Sequence, residues 1–292
     1  MRLNYNWRMN DALPRGLSAA MDARYRQLAK QIQQLPPVGS RPLTVSGKVA
    51  GWITAKACVA VAGIGGVRIE DEAVHITGPA SSRRPLNDVL AQVASTLKAA
   101  GCLRGWRDEL LDVFGEGRRL GVIERAAVRP LGLLTKAVHL NAWSGDGRLW
   151  VARRALTKTT DPGLWDTLVG GLAGAGETLE NTLLRESNEE AGLAPADMQR
   201  RSPLRIILRM HRRLPEGYQV EDALASDCIL ADDAVPANQD GEVSEIRLLD
   251  PESVWQMMEA GEFTHEAELV ILEGFKRRAN PPAPAARRAT SP

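Results

Sequence analysis

The stretch from Gly163 to Leu193, GLWDTLVGGLAGAGETLENTLLRESNEEAGL, constrains this chain more than any other. Gly170 and Gly171 end a short apolar run. Glu177 follows and opens a helical segment carrying Arg185, Glu186, Glu189 and Glu190, which Gly192 stops. Residues three and four apart share one helix face, so Glu186, Glu189 and Glu190 project together. Like charges so placed cost roughly 0.2–0.5 kcal/mol per pair on an exposed helix, too little to separate purpose from accident. Glu177 adds a further carboxylate at the helix entrance, with few bases nearby. Converging carboxylates that lack cationic partners are explained by a hard divalent cation, which prefers oxygen ligands. The competing reading is an ordinary acidic amphipathic helix.

Gly171, Glu177, Arg185, Glu186, Glu189, Glu190 and Gly192 fall in the spacing G-x5-E-x7-R-E-U-x-E-E-x-G-U, with Leu193 in the final aliphatic slot. This pattern resembles the signature of the Nudix hydrolases. One slot departs from it: Ser187 stands where the family has a bulky aliphatic residue. If buried, that loss of side chain costs about 2–5 kcal/mol unless neighbours fill the space. A longer resemblance runs through GCLRGWRDELLDVF, IERAA, AVHLNAW, RRALTKTTDPGLWDTLVGG and NQDGEV. These stretches look like a Nudix subgroup with its own N-terminal domain, the arrangement that precedes the kinase region of some fungal thiamine pyrophosphokinases. The resemblance implies hydrolysis of oxy and oxo analogues of thiamine diphosphate to their monophosphates.

At 292 residues the chain has room for about two domains. A net charge of +1 argues against a generally basic nucleic-acid binder. Cys58, Cys102 and Cys228 lack CxxC spacing and read as thiols in a reducing compartment. The first residues, MRLNYNWRMNDALPRG, have no signal-peptide core, and the apolar stretch from Val49 to Val67 is broken by Lys56 and glycines. A cytoplasmic protein without a membrane span is expected.

The first third reads as a small α+β domain, residues 1–118. Met21, Tyr25, Leu28 and Ile32 mark a helix ended by Pro36 and Pro37. VSGKVAGWI, ACVAVAG and VRIEDEAVHITG read as short strands, residues 85–100 as a second helix, and Trp106–Phe114 as a third helical piece. This unit is a candidate for capping a pocket, mediating a homodimer or stabilising the fold. Residues 119–278 read as the catalytic domain, strand-rich around one central helix. The resemblance implies the Nudix α/β/α sandwich, a mixed sheet with helices on both faces. The Pro/Ala-rich tail, residues 279–292, is expected to be disordered.

The resemblance also assigns roles. Glu186, Glu189 and Glu190 become ligands of Mg²⁺ (or Mn²⁺), Glu177 a further ligand or water holder, and Arg185 the base that orients the glutamates. Glu189 is the first choice of general base, with Glu242 and Glu221 as alternatives; a solvated loop acid is the competing reading of both. A small-molecule diphosphate needs bases as well as metal, so Arg153, Arg154 and Lys158 are candidates to face it. Trp165, Asp166, His139 and Asn141 are candidates to line the pocket, against core packing for the tryptophan and internal hydrogen bonding for the strand residues. Two other readings remain. One is an isopentenyl-diphosphate isomerase, disfavoured because the region after Trp165 has no cysteine; the other is a non-catalytic ligand-sensing module.

Overall fold

The computed structural model describes residues 15–78, 85–158 and 160–279. The segment before residue 15 and the tail expected to be disordered, Ala279 excepted, lie outside the described residues. Helix α1 (Arg15–Gln31) is followed by β1 (Arg41–Val45), β2 (Lys48–Ile53), α2 (Ala55–Ala60), β3 (Val67–Ile69), β4 (Val74–Ile76) and α3 (Leu86–Ala99). Strands β5 (Leu110–Gly115) and β6 (Arg118–Glu124) form a hairpin, and α4 (Val128–Leu131) leads into the larger sheet. Then come β7 (Leu134–Trp143), β8 (Leu149–Arg154), β9 (Trp165–Thr167), β10 (Val169–Leu172) and α5 (Leu179–Ala191). The chain finishes with β11 (Arg200–Arg201), β12 (Arg205–Leu214), β13 (Gly217–Ile229), β14 (Val243–Leu249), α6 (Pro251–Glu259) and α7 (His265–Ala279).

Two expected elements are corrected. ACVAVAG was expected to be a strand but forms α2, capped by Thr54, whose hydroxyl accepts the Ala57 N–H at 3.4 Å. Ala57, Cys58 and Val61 are buried while Val59 is 77% exposed, a helical rather than an alternating pattern. Trp106–Phe114 was expected to be helical. From Leu110 it is strand β5, with Leu111 and Val113 inward and Leu110 half exposed.

Strands β2-β1-β4-β3 make one small sheet. Its core, Leu43, Val45, Ile53, Val74 and Ile76, joins Val89, Leu90, Val93 and Leu97 of α3 and Leu111, Val113 and Ile123 of the hairpin. The larger sheet follows the order β11-β13-β7-β8-β14, with β10 on β7, β12 on β13 and β9 on β8. Strand β13 runs parallel to β7, while the other neighbours are antiparallel, so the sheet is mixed. Alternation along β7 sets the layers. Val138, Leu140 and Ala142 pack with Leu183 and Ala191 of α5. Trp143 points the other way and packs edge-on against Phe275 of α7, centroids 5.5 Å apart. Helices therefore cover both faces, giving the expected α/β/α sandwich.

Helix α1 begins the described chain yet docks on its last helix. Met21, Leu28 and Ile32 share a core with Trp255, Leu269 and Phe275. Arg24 locks this contact with a two-pronged pair to Glu268, Nε to Oε2 at 2.8 Å and Nη2 to Oε1 at 3.0 Å. The Glu268 side chain is only 1% exposed, so removing its partner strands a buried charge. Arg24→Ala is expected to lower unfolding stability by about 3 kcal/mol in a denaturant titration.

Candidate functional site

Helix α5 starts because Thr178 caps it, its hydroxyl accepting the Asn181 N–H at 3.2 Å, and it ends at Gly192 in the left-handed conformation (φ 65°). Arg185 lies midway along it and gathers the acids. Its Nε and Nη2 donate to Glu177 Oε1 and Oε2, each at 3.0 Å, and its Nη1 to Glu186 Oε1 at 2.9 Å and Glu189 Oε2 at 3.0 Å. Glu177 also accepts from Gly174 N–H at 3.1 Å and the Thr182 hydroxyl at 3.0 Å. These bonds, those of Arg185 foremost, hold its carboxyl below the usual range. Burial raises Glu186, with Arg185 pulling the other way.

Glu190 turns inward from the same helix. Its Oε2 accepts the Gly170 N–H at 2.8 Å, and Lys158 Nζ stands 3.8 Å from Oε1. Gly171 explains the glycine of the motif: a Cβ there would lie 2.0 Å from the Glu186 carboxyl carbon. The residue has to be glycine for strand β10 and the carboxylate to share that space. Ser187, in the departing slot, is fully buried and its hydroxyl has no hydrogen-bond partner among the described residues.

A cavity of about 690 Å³ opens beside this helix. Gly170, Gly171, Arg185, Glu186 and Glu189 line it, as do Arg154, Lys158, Asp166, His139, Glu221 and Glu242. Glu177 and Glu190 are not among its lining residues. Arg154 pairs with Asp166 at 2.8 Å, and Lys158 pairs with Glu242 on an exposed loop. Glu221 is no solvated loop acid. It is buried on β13, accepts from Thr135 Oγ1 and Gln219 Nε2, and is held above the usual range by burial and by Glu266. His139 bonds Glu266 at 3.0 Å through Nε2 and Thr167 at 3.1 Å through Nδ1. Burial alone would lower its pKa, but the bond to Glu266 and that carboxylate's charge outweigh burial and raise it.

Three expected pocket residues lie elsewhere. Trp165 is 3% exposed in the core, its backbone stitched to Glu262 and Thr264, with Arg247 over its ring. Arg153 donates instead to Gly163 O at 2.9 Å. Asn141 donates to Asp227 and to Val270 O, both at 3.0 Å. Cavity residues that the sequence reading missed include Thr135, Gln219, Glu266, Arg125, Arg129 and Arg212. A cap signal was available for Glu266, since Thr264 accepts the Ala267 N–H at 3.0 Å. Nothing local marked the others.

Does this cluster suit a metal ion? Among the described residues no group of three or more His, Cys, Asp or Glu gathers as a ready-made site, because Arg185 stands between the carboxylates. The donor chemistry does fit. All the donors are hard carboxylate oxygens, Glu186 sits in a cradle that any Cβ at position 171 would fill, and Glu189 has a side chain 46% exposed at the cavity.

Two outcomes follow. Gly171→Ala drives a Cβ into the Glu186 carboxyl, so a loss of about 1–3 kcal/mol is expected in denaturant unfolding. Burial pushes Glu190 up to about 7 from 4.5, against the Gly170 N–H and Lys158. The folded state thus keeps this proton longer than the unfolded state, and stability falls as pH rises between those two values. In the metal-free protein Glu190→Gln is expected to flatten that fall in a series of thermal melts; an unchanged slope counts against it.

A family profile described as the NUDIX domain matches residues 133–269. The chain is similar to the chloroplastic Nudix hydrolase 24 of Arabidopsis thaliana, 32% identical over 63% of this chain and 52% of that protein. It is 33% identical to an uncharacterized Nudix hydrolase of Pseudomonas aeruginosa, over 51% of this chain and 79% of that one. Isopentenyl-diphosphate Delta-isomerase of Cutibacterium acnes matches at 29% over 54% of this chain and 89% of that enzyme. The chain spans about half the length of the chloroplastic relatives it matches, 52% of one and 50% of another. No helix among the described residues is long and apolar enough to cross a membrane. With α5, its glycine-flanked carboxylates and a bacterial relative covered over most of its length, the chain belongs to the Nudix family.

Proposed function

We propose that the chain is a divalent-metal-dependent pyrophosphohydrolase acting on a diphosphate joined to an organic group, which is thiamine-like. The observation that carries this reading is the carboxylate cluster on Arg185, whose Glu186 and Glu189 border the cavity. Glu186, Glu189 and Glu190 would hold Mg²⁺ (or Mn²⁺), with Glu177 as a further ligand or water holder. Bound there, the ion would neutralise phosphate oxygens and lower the pKa of a water. Arg185 keeps the glutamates oriented. Glu189 takes the proton from the attacking water, whose oxygen bonds to phosphorus. The bridging P–O bond breaks and its electrons leave with the departing phosphate. Lys158 and Arg154 both line the cavity and supply positive charge for the anion.

The thiamine-like group rests on the resemblance of residues 101–114, 123–127, 137–143, 153–171 and 238–243. A nucleoside-diphosphate-linked substrate is the second reading, since the same site chemistry serves any diphosphate. Similarity to an isomerase is the observation favouring a third. The absence of cysteine between Cys102 and Cys228 counts against it.

A Mg²⁺-dependent hydrolysis screen tests the proposal. It should include thiamine diphosphate, its oxy and oxo analogues, nucleoside di- and triphosphates, ADP-ribose, NADH and dinucleoside polyphosphates. Preference for the thiamine analogues, reduced at least about 100-fold in Glu189→Gln, is the expected result. Turnover of nucleotides alone rejects the thiamine reading, and metal-dependent turnover of none rejects this hydrolase reading.

A further inference from the structure

The cavity is not built by the larger sheet alone. Arg107, Arg125 and Arg129 come from the segment before β7 and line the same space as Glu186 and Glu189. Hairpin β5–β6 is joined directly to the loop between Gly171 and Glu177. The Ala175 N–H donates to Leu110 O at 2.9 Å, and the Gly176 N–H lies 3.1 Å from each carboxylate oxygen of Asp112. Arg119 holds that same aspartate at 2.5 Å. The loop that carries Glu177 is thus fastened to the N-terminal unit through backbone donors.

One buried acid at the end of β6 fixes two cavity-lining arginines. Glu124, 3% exposed, accepts the Arg107 N–H at 2.7 Å and the Ala126 N–H at 3.3 Å. It therefore anchors the segment bearing Arg107 and caps the turn bearing Arg125. The field of the Arg125 guanidinium reaches Glu186 on α5. Arg125 is bonded to Glu109 at 2.6 Å, with side chains 41% and 35% exposed. Such an exposed pair is worth only about 0–1 kcal/mol. A phosphate oxygen, with more charge and fork-matching geometry, exchanges for Glu109 at little cost.

We propose that Arg125, together with Arg107, forms an anion-binding wall that the segment before β7 contributes to the catalytic cavity, and that its ligand is the non-bridging oxygens of the diphosphate. This rests on the diphosphate reading above. On this account the segment before β7, from Arg107 to Arg125, is part of the binding site, and its loss raises KM rather than merely lowering stability.

The test is calorimetric titration of the full chain with inorganic pyrophosphate in the presence of Mg²⁺, which needs no turnover. Arg125→Ala is expected to weaken binding about tenfold or more, with Arg125→Lys recovering part of it and Arg107→Ala weakening it likewise. Glu109→Gln removes the negative charge that competes for Arg125 and should bind at least as tightly as the unaltered chain. Arg68→Ala, in the small sheet and outside the cavity, is the charge control and should bind as the unaltered chain does. Unchanged affinity in Arg125→Ala overturns the proposal, as does equal weakening in Glu109→Gln, which would make the pair structural. If the unaltered chain fails to bind pyrophosphate, the diphosphate reading falls and this one with it. If it binds but Arg125→Ala binds equally well, this one alone falls.

Discussion

One guanidinium holds the acidic helix together. Glu186, Glu189 and Glu190 share a face of α5 with Glu177 at its entrance, an arrangement that repels itself. Arg185 converts that repulsion into a fan of charge-assisted bonds, two to Glu177 and one each to Glu186 and Glu189. Its own pKa is raised well beyond the ordinary arginine value, first by the bond to Glu177. Glu177 responds by becoming a stronger acid, whereas the more deeply set Glu186 and Glu190 are pushed up by burial. Carboxylates with that mixture of tethering and incomplete neutralisation are what a hard cation can complete.

Everything around the helix serves its placement. Strand β10 lies against it with glycine at the contact, and β10 is in turn paired with β7, Gly171 opposite Val138 and Gly170 opposite His139. The period of two along β7 sends Val138, Leu140 and Ala142 under α5 and His139 toward Glu266 on α7. One strand thus positions the carboxylate helix on one face and a buried polar network on the other. Gln219 extends that network with a carbonyl oxygen that has no hydrogen-bond partner among the described residues.

The motif helix was legible because its information is local: a glycine stop and fixed spacing place α5 within a residue or two. The strand-rich surroundings of the helix were legible for the same reason, from alternation and turn residues, and they appear as the β7–β8 and β12–β13 hairpins. Short apolar windows were not. ACVAVAG and RDELLDVF fit either period over so few residues, and tertiary packing chose. Distant partnerships were also hidden. Arg24 meets Glu268 across most of the chain, and His139 meets Glu266 only because β7 and α7 are brought together by the sheet. Trp165 read equally as ligand contact or core, and its place in the core was decided by the loop before α7, which nothing near the tryptophan announces.

The central claim is that Arg185 presets carboxylates for a divalent ion. It is tested most directly by titrating the full chain with Mn²⁺ and following the free-ion paramagnetic signal, in the unaltered protein, Glu189→Gln and Arg185→Gln. The account predicts saturable binding, strongly weakened in Glu189→Gln and reduced about 10–100-fold in Arg185→Gln, the range for a residue that orients ligands without being one. A chain that leaves all the Mn²⁺ free, or an Arg185→Gln variant that binds as well as the original, would contradict it.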